Sequence, residues 1–210
     1  MAKVKISKKS TKIDMTAMCD VAFLLLSFFI MTSTAKVPEP KPVDTPASTV
    51  KAKLPERNLA TITIGDSAVF FGVSERETRI AMLEKMAAQY NMEFTDEEKQ
   101  EFSKIDGFGV SMSELKALIK LSSAERNNEG TQKGIPFKDS TDNQLADWVK
   151  AAREASFELS EMKGKKEELQ VAIKGDSKEK YPTVKKVLDL LQKQEVNKFF
   201  LVTGLRSEDF

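Results

Sequence analysis

Apolar residues follow three different rules along this chain. Between Ala17 and Ala35 they run almost without a break, through Val21, Phe23, Leu24, Leu25, Leu26, Phe28, Phe29, Ile30 and Met31. No other run is both this apolar and long enough to cross a bilayer, which takes about 20 residues of helix. Between Leu59 and Phe71 apolar and polar residues alternate, and between Ile80 and Ala152 apolar residues recur at helical spacing. Past Leu169 the pattern is strand, helix, strand. The first run holds one misfit, the carboxylate of Asp20. Such a residue costs roughly 2.5–3.5 kcal/mol near the middle of a spanning helix, so it marks a partner or a water path.

On a helix advancing about 100° per residue, Thr16, Asp20, Ser27 and Thr34 fall within roughly 40° of one another. Met18, Val21, Leu25 and Phe29 occupy the opposite face. This polar seam predicts a retained helix over residues 15–35, with the seam turned into a helix bundle. The basic start, the apolar core and Ser33-Thr34-Ala35 also fit a cleavable signal, and a mature chain beginning at Lys36 would decide for it. Against cleavage stand the length of the stretch and the Asp within it. A disposable signal has no reason to align its polar residues.

Residues 36–57 hold Pro38, Pro40, Pro42, Pro46 and Pro55, most of the chain's 7 prolines. Mixed with Lys, Glu, Thr and Ser, they predict an extended spacer able to hold the next domain on the order of 60 Å from the membrane. The domain, residues 58–210, opens with a hairpin: Leu59–Ile64, a Gly65-Asp66 turn, and Ala68–Phe71. A helix follows from Ser74, with Glu77 completing a capping box and Ile80, Leu83, Met86 and Ala87 on one face. Further helices are predicted from Thr95 with Glu98, leading to Phe102 and Ile105, and from Ser111 with Glu114, carrying Leu115, Leu118, Ile119 and Leu121. Another begins near Ser140-Thr141-Asp142 and carries Leu145, Trp148, Val149 and Ala152. Gly107-Phe108-Gly109 lacks the third glycine and the βαβ setting of a nucleotide loop, and reads as a turn.

The closing unit is a Leu169–Ile173 strand, a Gly175-Asp176 break, a helix from Tyr181-Pro182 with Val184, Val187, Leu188 and Leu191 on one face, and a Phe199–Thr203 strand. The fold class is therefore α+β. A single N-terminal transmembrane helix and a Pro-rich linker precede a small sheet with helices on one face, and further helices lie between the hairpin and the closing unit.

Charge gives the membrane run a direction. Lysine plus arginine (33) nearly balance aspartate plus glutamate (32), which argues against a dedicated nucleic-acid binder. The imbalance is local: Lys3, Lys5, Lys8, Lys9 and Lys12 all lie in the tail of residues 1–14. By the positive-inside rule that tail stays in the cytoplasm and everything after Ala35 lies on the far side. Cys19 is the only cysteine, so an intramolecular disulfide and a cysteine zinc cluster are excluded. Histidine is absent, which removes the usual general base, the usual metal ligand and every Ser/His or Cys/His nucleophile. The charges of the soluble region read as solvated helix faces, Trp148 as core, and Met82, Met86 and Met92 as core filler.

Asp20 then stands alone as a candidate for chemistry. A carboxyl group in low dielectric favours its neutral form, yet releases its proton when a water path or a cation approaches. That is the behaviour of a site that takes a proton from one side and delivers it to the other. Thr16 and Ser27 either hydrogen-bond it or order water, or serve as small packing contacts. An Asp that only fixes helix pairing is the alternative.

The stretch Ile13-Asp14-Met15-Thr16-Ala17-Met18-Cys19-Asp20-Val21, continuing to Phe29, resembles the membrane segment of the ExbD/TolR biopolymer-transport proteins. Leu54-Pro55 resembles the Leu-Pro element before that family's first periplasmic strand. Val171-Ala172-Ile173, Tyr181 with its helix, and Leu201-Val202-Thr203 resemble its closing strand–helix–strand. Ala17 stands where the family usually has Pro, and residues of about 85–150 lack a counterpart in its compact domain, so the resemblance implies a helical insertion there. The resemblance implies a non-enzymatic, single-span subunit of the bacterial inner membrane, with a cytoplasmic N-terminus and a periplasmic domain. It implies a dimer inside a ring of a multi-span ExbB/TolQ-like partner, driving a TonB- or TolA-like protein. The coupling ion is the proton, with no cofactor or metal. Asp20 falls on the family's proton-carrying Asp and Thr16 on its associated Thr. The alternative is a membrane-anchored periplasmic binding or scaffold protein without proton conduction. A flagellar-type stator would need a peptidoglycan-binding domain that the sequence does not display.

Overall fold

Met15–Thr32 contains neither glycine nor proline, and it forms one continuous helix, α1, of 18 residues. At 1.5 Å per residue it is about 27 Å long, close to the hydrocarbon thickness of a bilayer. The computed structural model describes residues 15–33, 39–49, 53–128, 130–137, 142–165 and 167–205. Thr34, Ala35 and the basic tail of residues 1–14 lie outside the described residues. The chain divides into two compact units, Met1–Val37 and Pro38–Phe210.

In the second unit, β2 (Leu59–Gly65) and β3 (Ala68–Val73) form the expected hairpin. Its two-residue loop is Asp66-Ser67, with φ of 52° and 59°, rather than Gly65-Asp66. A type I′ turn needs positive φ at both central residues. The register is set by the apolar pattern: Ile62 faces Phe71 and Ile64 faces Val69, so all four reach the buried side together. β4 (Gln170–Gly175) adds parallel to β2, and β5 (Phe199–Val202) adds parallel to β4 after the crossover helix α7 (Tyr181–Lys193). The sheet order is β3-β2-β4-β5. Ala60, Ile62, Ile64, Phe71, Val171 and Ile173 share one core with the buried faces of α2 (Arg76–Gln89), α6 (Gln144–Met162) and α7.

Alternation puts Thr61, Thr63, Ala172 and Lys174 on the opposite face, and the proline-rich segment lies there. Glu39 pairs with Lys174, and Lys41 with Asp66. The Ser177 N–H donates to the Asp44 carbonyl (2.7 Å), and the Gly204 N–H to the Pro46 carbonyl (3.0 Å). Two short strands, β1 (Ala47–Ser48) and β6 (Gly204–Leu205), pair in parallel alongside. Residues 39–48 are thus held on the domain instead of standing off as a free spacer. Proline lacks an N–H but keeps its carbonyl, so a proline-rich segment can still be hydrogen-bonded where donors are presented to it.

The Asp66-Ser67 turn is held from the other side by Glu179, whose carboxylate accepts from the Ser67 N–H (2.9 Å). Burial works against its ionisation, but the backbone N–H of Ser67, the Thr183 hydroxyl and the Lys180 N–H outweigh it and hold its carboxyl below the usual 4.5. A depressed carboxyl contributes stability that is complete above the unfolded value and lost as pH falls through the folded one. Acid denaturation followed from about pH 6 to 2 should therefore show a steeper fall below about pH 4.5 in the wild type than in Glu179→Gln. Identical curves would remove this group from the acid response.

The helical insertion shares the core of the sheet. α3 (Asp96–Ser103) and α4 (Met112–Lys120) bring Phe102, Leu115 and Leu118 into the same cluster as Ile62 and Phe71, and the short α5 (Ser123–Arg126) follows with no buried residue. Phe108 sits edge-on to Trp148 at 4.8 Å and to Phe71 at 6.4 Å, with Phe102 stacked on Trp148 at 6.1 Å. Gly107-Phe108-Gly109 is more than a turn. Phe108 exchanges both backbone hydrogen bonds with Phe71 (2.8 and 2.9 Å), and Ile135 donates to the Val69 carbonyl (2.8 Å). The insertion thereby closes the outer edge of β3. Gly109 is required where it is, because a Cβ there would run into the Phe70 ring.

The starts of α2, α3, α4 and α7 agree with the sequence to within two residues, whereas α6 begins at Gln144, two to four residues past Ser140-Thr141-Asp142, and α5 is not among the expected helices; the caps differ as well. Thr95 and Glu98 form their box, whereas Ser111 occupies its cap position without a side-chain bond. Glu75 occupies the N-cap position of α2, also without a side-chain bond, and in place of a Ser74–Glu77 box the Ser74 hydroxyl accepts from the Leu59 N–H (3.2 Å). Asn143 caps α6, while Ser140 and Thr141 lie outside the described residues. Arg79 is the largest departure from expectation. It is 4% exposed and belongs to the buried stripe of Arg79, Met82, Leu83 and Met86. Its guanidinium donates to the carbonyls of Val73 (2.6 Å), Ser103 (2.8 Å) and Ser74 (3.1 Å), and to the Asp106 carboxylate. One side chain joins the end of β3 to the end of α3.

Candidate functional site

Asp20 is the sole acidic or basic residue of α1, and no residue of that helix is buried. Its carboxylate makes no hydrogen bond or ion pair with any described residue. Thr16, Asp20 and Ser27 share the regular helix and so fall within roughly 40° around its axis, with Phe23 between them. Thr34, the expected fourth member of the seam, lies outside the described residues.

The hydroxyls differ from the sequence reading in one respect. Ser27 donates to the Leu24 carbonyl (2.9 Å), one turn back on its own helix, and Thr32 does the same to Phe28 (2.9 Å). In an apolar segment a hydroxyl proton has few other acceptors, so it turns back onto the backbone. Ser27 therefore offers the seam a small side chain and free lone pairs, and its proton is already engaged. The neighbouring Cys19 carries a free, exposed thiol.

A helix with an ionisable group on one side and branched or aromatic residues on the other is asymmetric in what it can face. Phe28, Phe29 and Leu25 suit lipid, while Asp20 needs water, a cation or a hydrogen-bond donor. Among the described residues the second unit holds no comparable group. Among the described residues no cluster of three acids or thiols is arranged for a metal ion. The one strongly displaced phenol, Tyr90, is raised first by burial and then by the Asp147 carboxylate to which it donates (2.7 Å). That bond ties α2 to α6 within the packing.

A family model described as biopolymer transport protein ExbD/TolR matches residues 7–205. The chain belongs to the ExbD/TolR family. No curated protein and no solved structure matches it significantly. Membership makes this a biopolymer-transport protein of a membrane-anchored family that works in complexes with other transport-system proteins, and α1 is its candidate anchor. The matched span includes both the membrane motif and the closing strand–helix–strand. The mixed α+β domain behind one apolar N-terminal helix agrees with the family.

Proposed function

We propose that this ExbD/TolR protein is a subunit of a proton-driven motor in the bacterial inner membrane, with Asp20 as its protonatable carrier. The observation that carries the reading is a lone carboxylate in an apolar helix with no partner among the described residues. A charge left in that position is costly, so a second chain must supply its surroundings. A multi-span ExbB/TolQ-like ring around a dimer of α1 helices would do so, with Thr16 and Ser27 lining the same seam. The proton taken up by Asp20 on one side is released to the other. The resulting motion is passed through the periplasmic domain to a TonB- or TolA-like protein. The five lysines of the tail, on the cytoplasmic side, support this orientation.

Affinity purification of the full chain with the product of a neighbouring multi-span gene tests assembly, and proton flux into vesicles holding the purified complex tests function. The expected result is a stable complex that carries protons only when both chains are present. A chain that purifies alone, and that works with a neutral helix replacing α1, is a scaffold instead.

A further inference from the structure

A cleft of about 430 Å³ lies between α6, the start of β4 and the end of α7. Its walls are tied together. The Arg153 guanidinium donates to the Gln194 carbonyl (2.8 Å), and the Gln194 amide donates to the Ala146 carbonyl (2.8 Å). The opening is therefore formed before anything binds, and its volume falls in the range of small recognition pockets.

Three features of the lining are unexplained by packing. Phe157 is 45% exposed, on a side of α6 otherwise occupied by Lys150, Glu154, Glu158 and Glu161. A solvated helix face would place another charge there, and a half-exposed ring beside a preformed cleft is the mark of a contact surface. Leu169 backs it. Lys150 and Glu168 both line the opening, both exposed, and neither side chain is in an ion pair with a described residue. The Gln194 Oε1 is buried without a donor among the described residues.

We propose that this cleft binds an extended segment of a partner polypeptide that carries one apolar side chain between an acidic and a basic residue. The apolar side chain packs on Phe157 and Leu169, the acid meets Lys150, and the base meets Glu168. Charge complementarity decides for a peptide of mixed sign over a lipid surface, which would select one sign only. The inference is independent of the proton role of Asp20, and Asp20→Asn leaves this binding unchanged.

The test is fluorescence anisotropy on the full chain in nanodiscs, with labelled synthetic heptapeptides Gly-Asp-Ala-Phe-Ala-Lys-Gly, the reversed order, and a Phe-to-Ser control. One order should bind at least ~10-fold more tightly than the Ser control, and Phe157→Ser should remove that margin. The charge-swapped double variant Lys150→Glu/Glu168→Lys should exchange the preference between the two orders. Both changes lie on the surface, and unaltered Trp148 emission will show that the core is intact. Equal binding of the Phe and Ser peptides overturns the proposal. So does a preference that survives the charge swap, or self-association of the chain that is lost in Phe157→Ser.

Discussion

Asp20→Asn is expected to reduce proton flux through the assembled complex to the background of empty vesicles, while expression and co-purification stay at wild-type levels. Asparagine has nearly the same shape as aspartate and keeps a hydrogen-bonding carbonyl, so it preserves helix pairing. It cannot gain or lose a proton near neutral pH. The substitution therefore separates a carrier from a packing residue, the two readings an intramembrane Asp admits. Asp20→Glu should retain partial flux, because the chemistry survives with the carboxyl displaced by one methylene. Transport that persists at wild-type level in Asp20→Asn would show that Asp20 only pairs helices. Ser27→Ala should have a much smaller effect than Asp20→Asn, since the Ser27 proton is already bonded to the Leu24 carbonyl.

The largest effect on stability is expected at Arg79. Arg79→Leu should destabilise the domain by about 3–5 kcal/mol, the cost of stranding buried partners of a deleted charge. Three carbonyls, from Val73, Ser74 and Ser103, lose their donor at once. The ion pair itself matters less, because Asp106 is 50% exposed and water screens it. Arg79→Lys should recover little, since an ammonium cannot present the planar fork that reaches four acceptors in different directions. Trp148 provides the readout: it is the only tryptophan and is fully buried, so its emission in a urea titration reports the core. A loss below about 1 kcal/mol would mean that the freed carbonyls find water or other donors.

Arg79 and Asp20 are the same kind of signal read with different success. Each is a charge on an otherwise apolar helical stripe. In α1 the apolar run is long, so one carboxylate stands out against it. In α2 the stripe is short and interrupted by Thr78, and an arginine in a chain that is 31% charged attracts no notice. Spacing alone contained the hint, because positions 79, 82, 83 and 86 repeat at helical period. What Arg79 binds could not be read, since Ser103 and Asp106 are more than twenty residues away in the chain and reach it through α3.

Local chemistry determined a good deal here. The length and composition of α1, the hairpin, the strand–helix–strand and most helix starts follow from periodicity, proline and capping residues, which act within a few positions along the chain. The polar seam followed from the same arithmetic, since a helix without glycine or proline keeps its angles. Tertiary structure decided the remainder. Only pairing at long range could show that the turn is Asp66-Ser67, because the register depends on which apolar residues meet across two strands. Strands of two residues, β1 and β6, have no period to detect, and they exist because the donors of one chain segment lie opposite the carbonyls of another. That contact turned residues 39–48 from an expected spacer into part of the domain. Likewise the insertion's amphipathic helices were legible one by one. That they fill the sheet's own core through Phe102, Phe108 and Trp148, and close the edge of β3, depended on how far-separated apolar faces fit together.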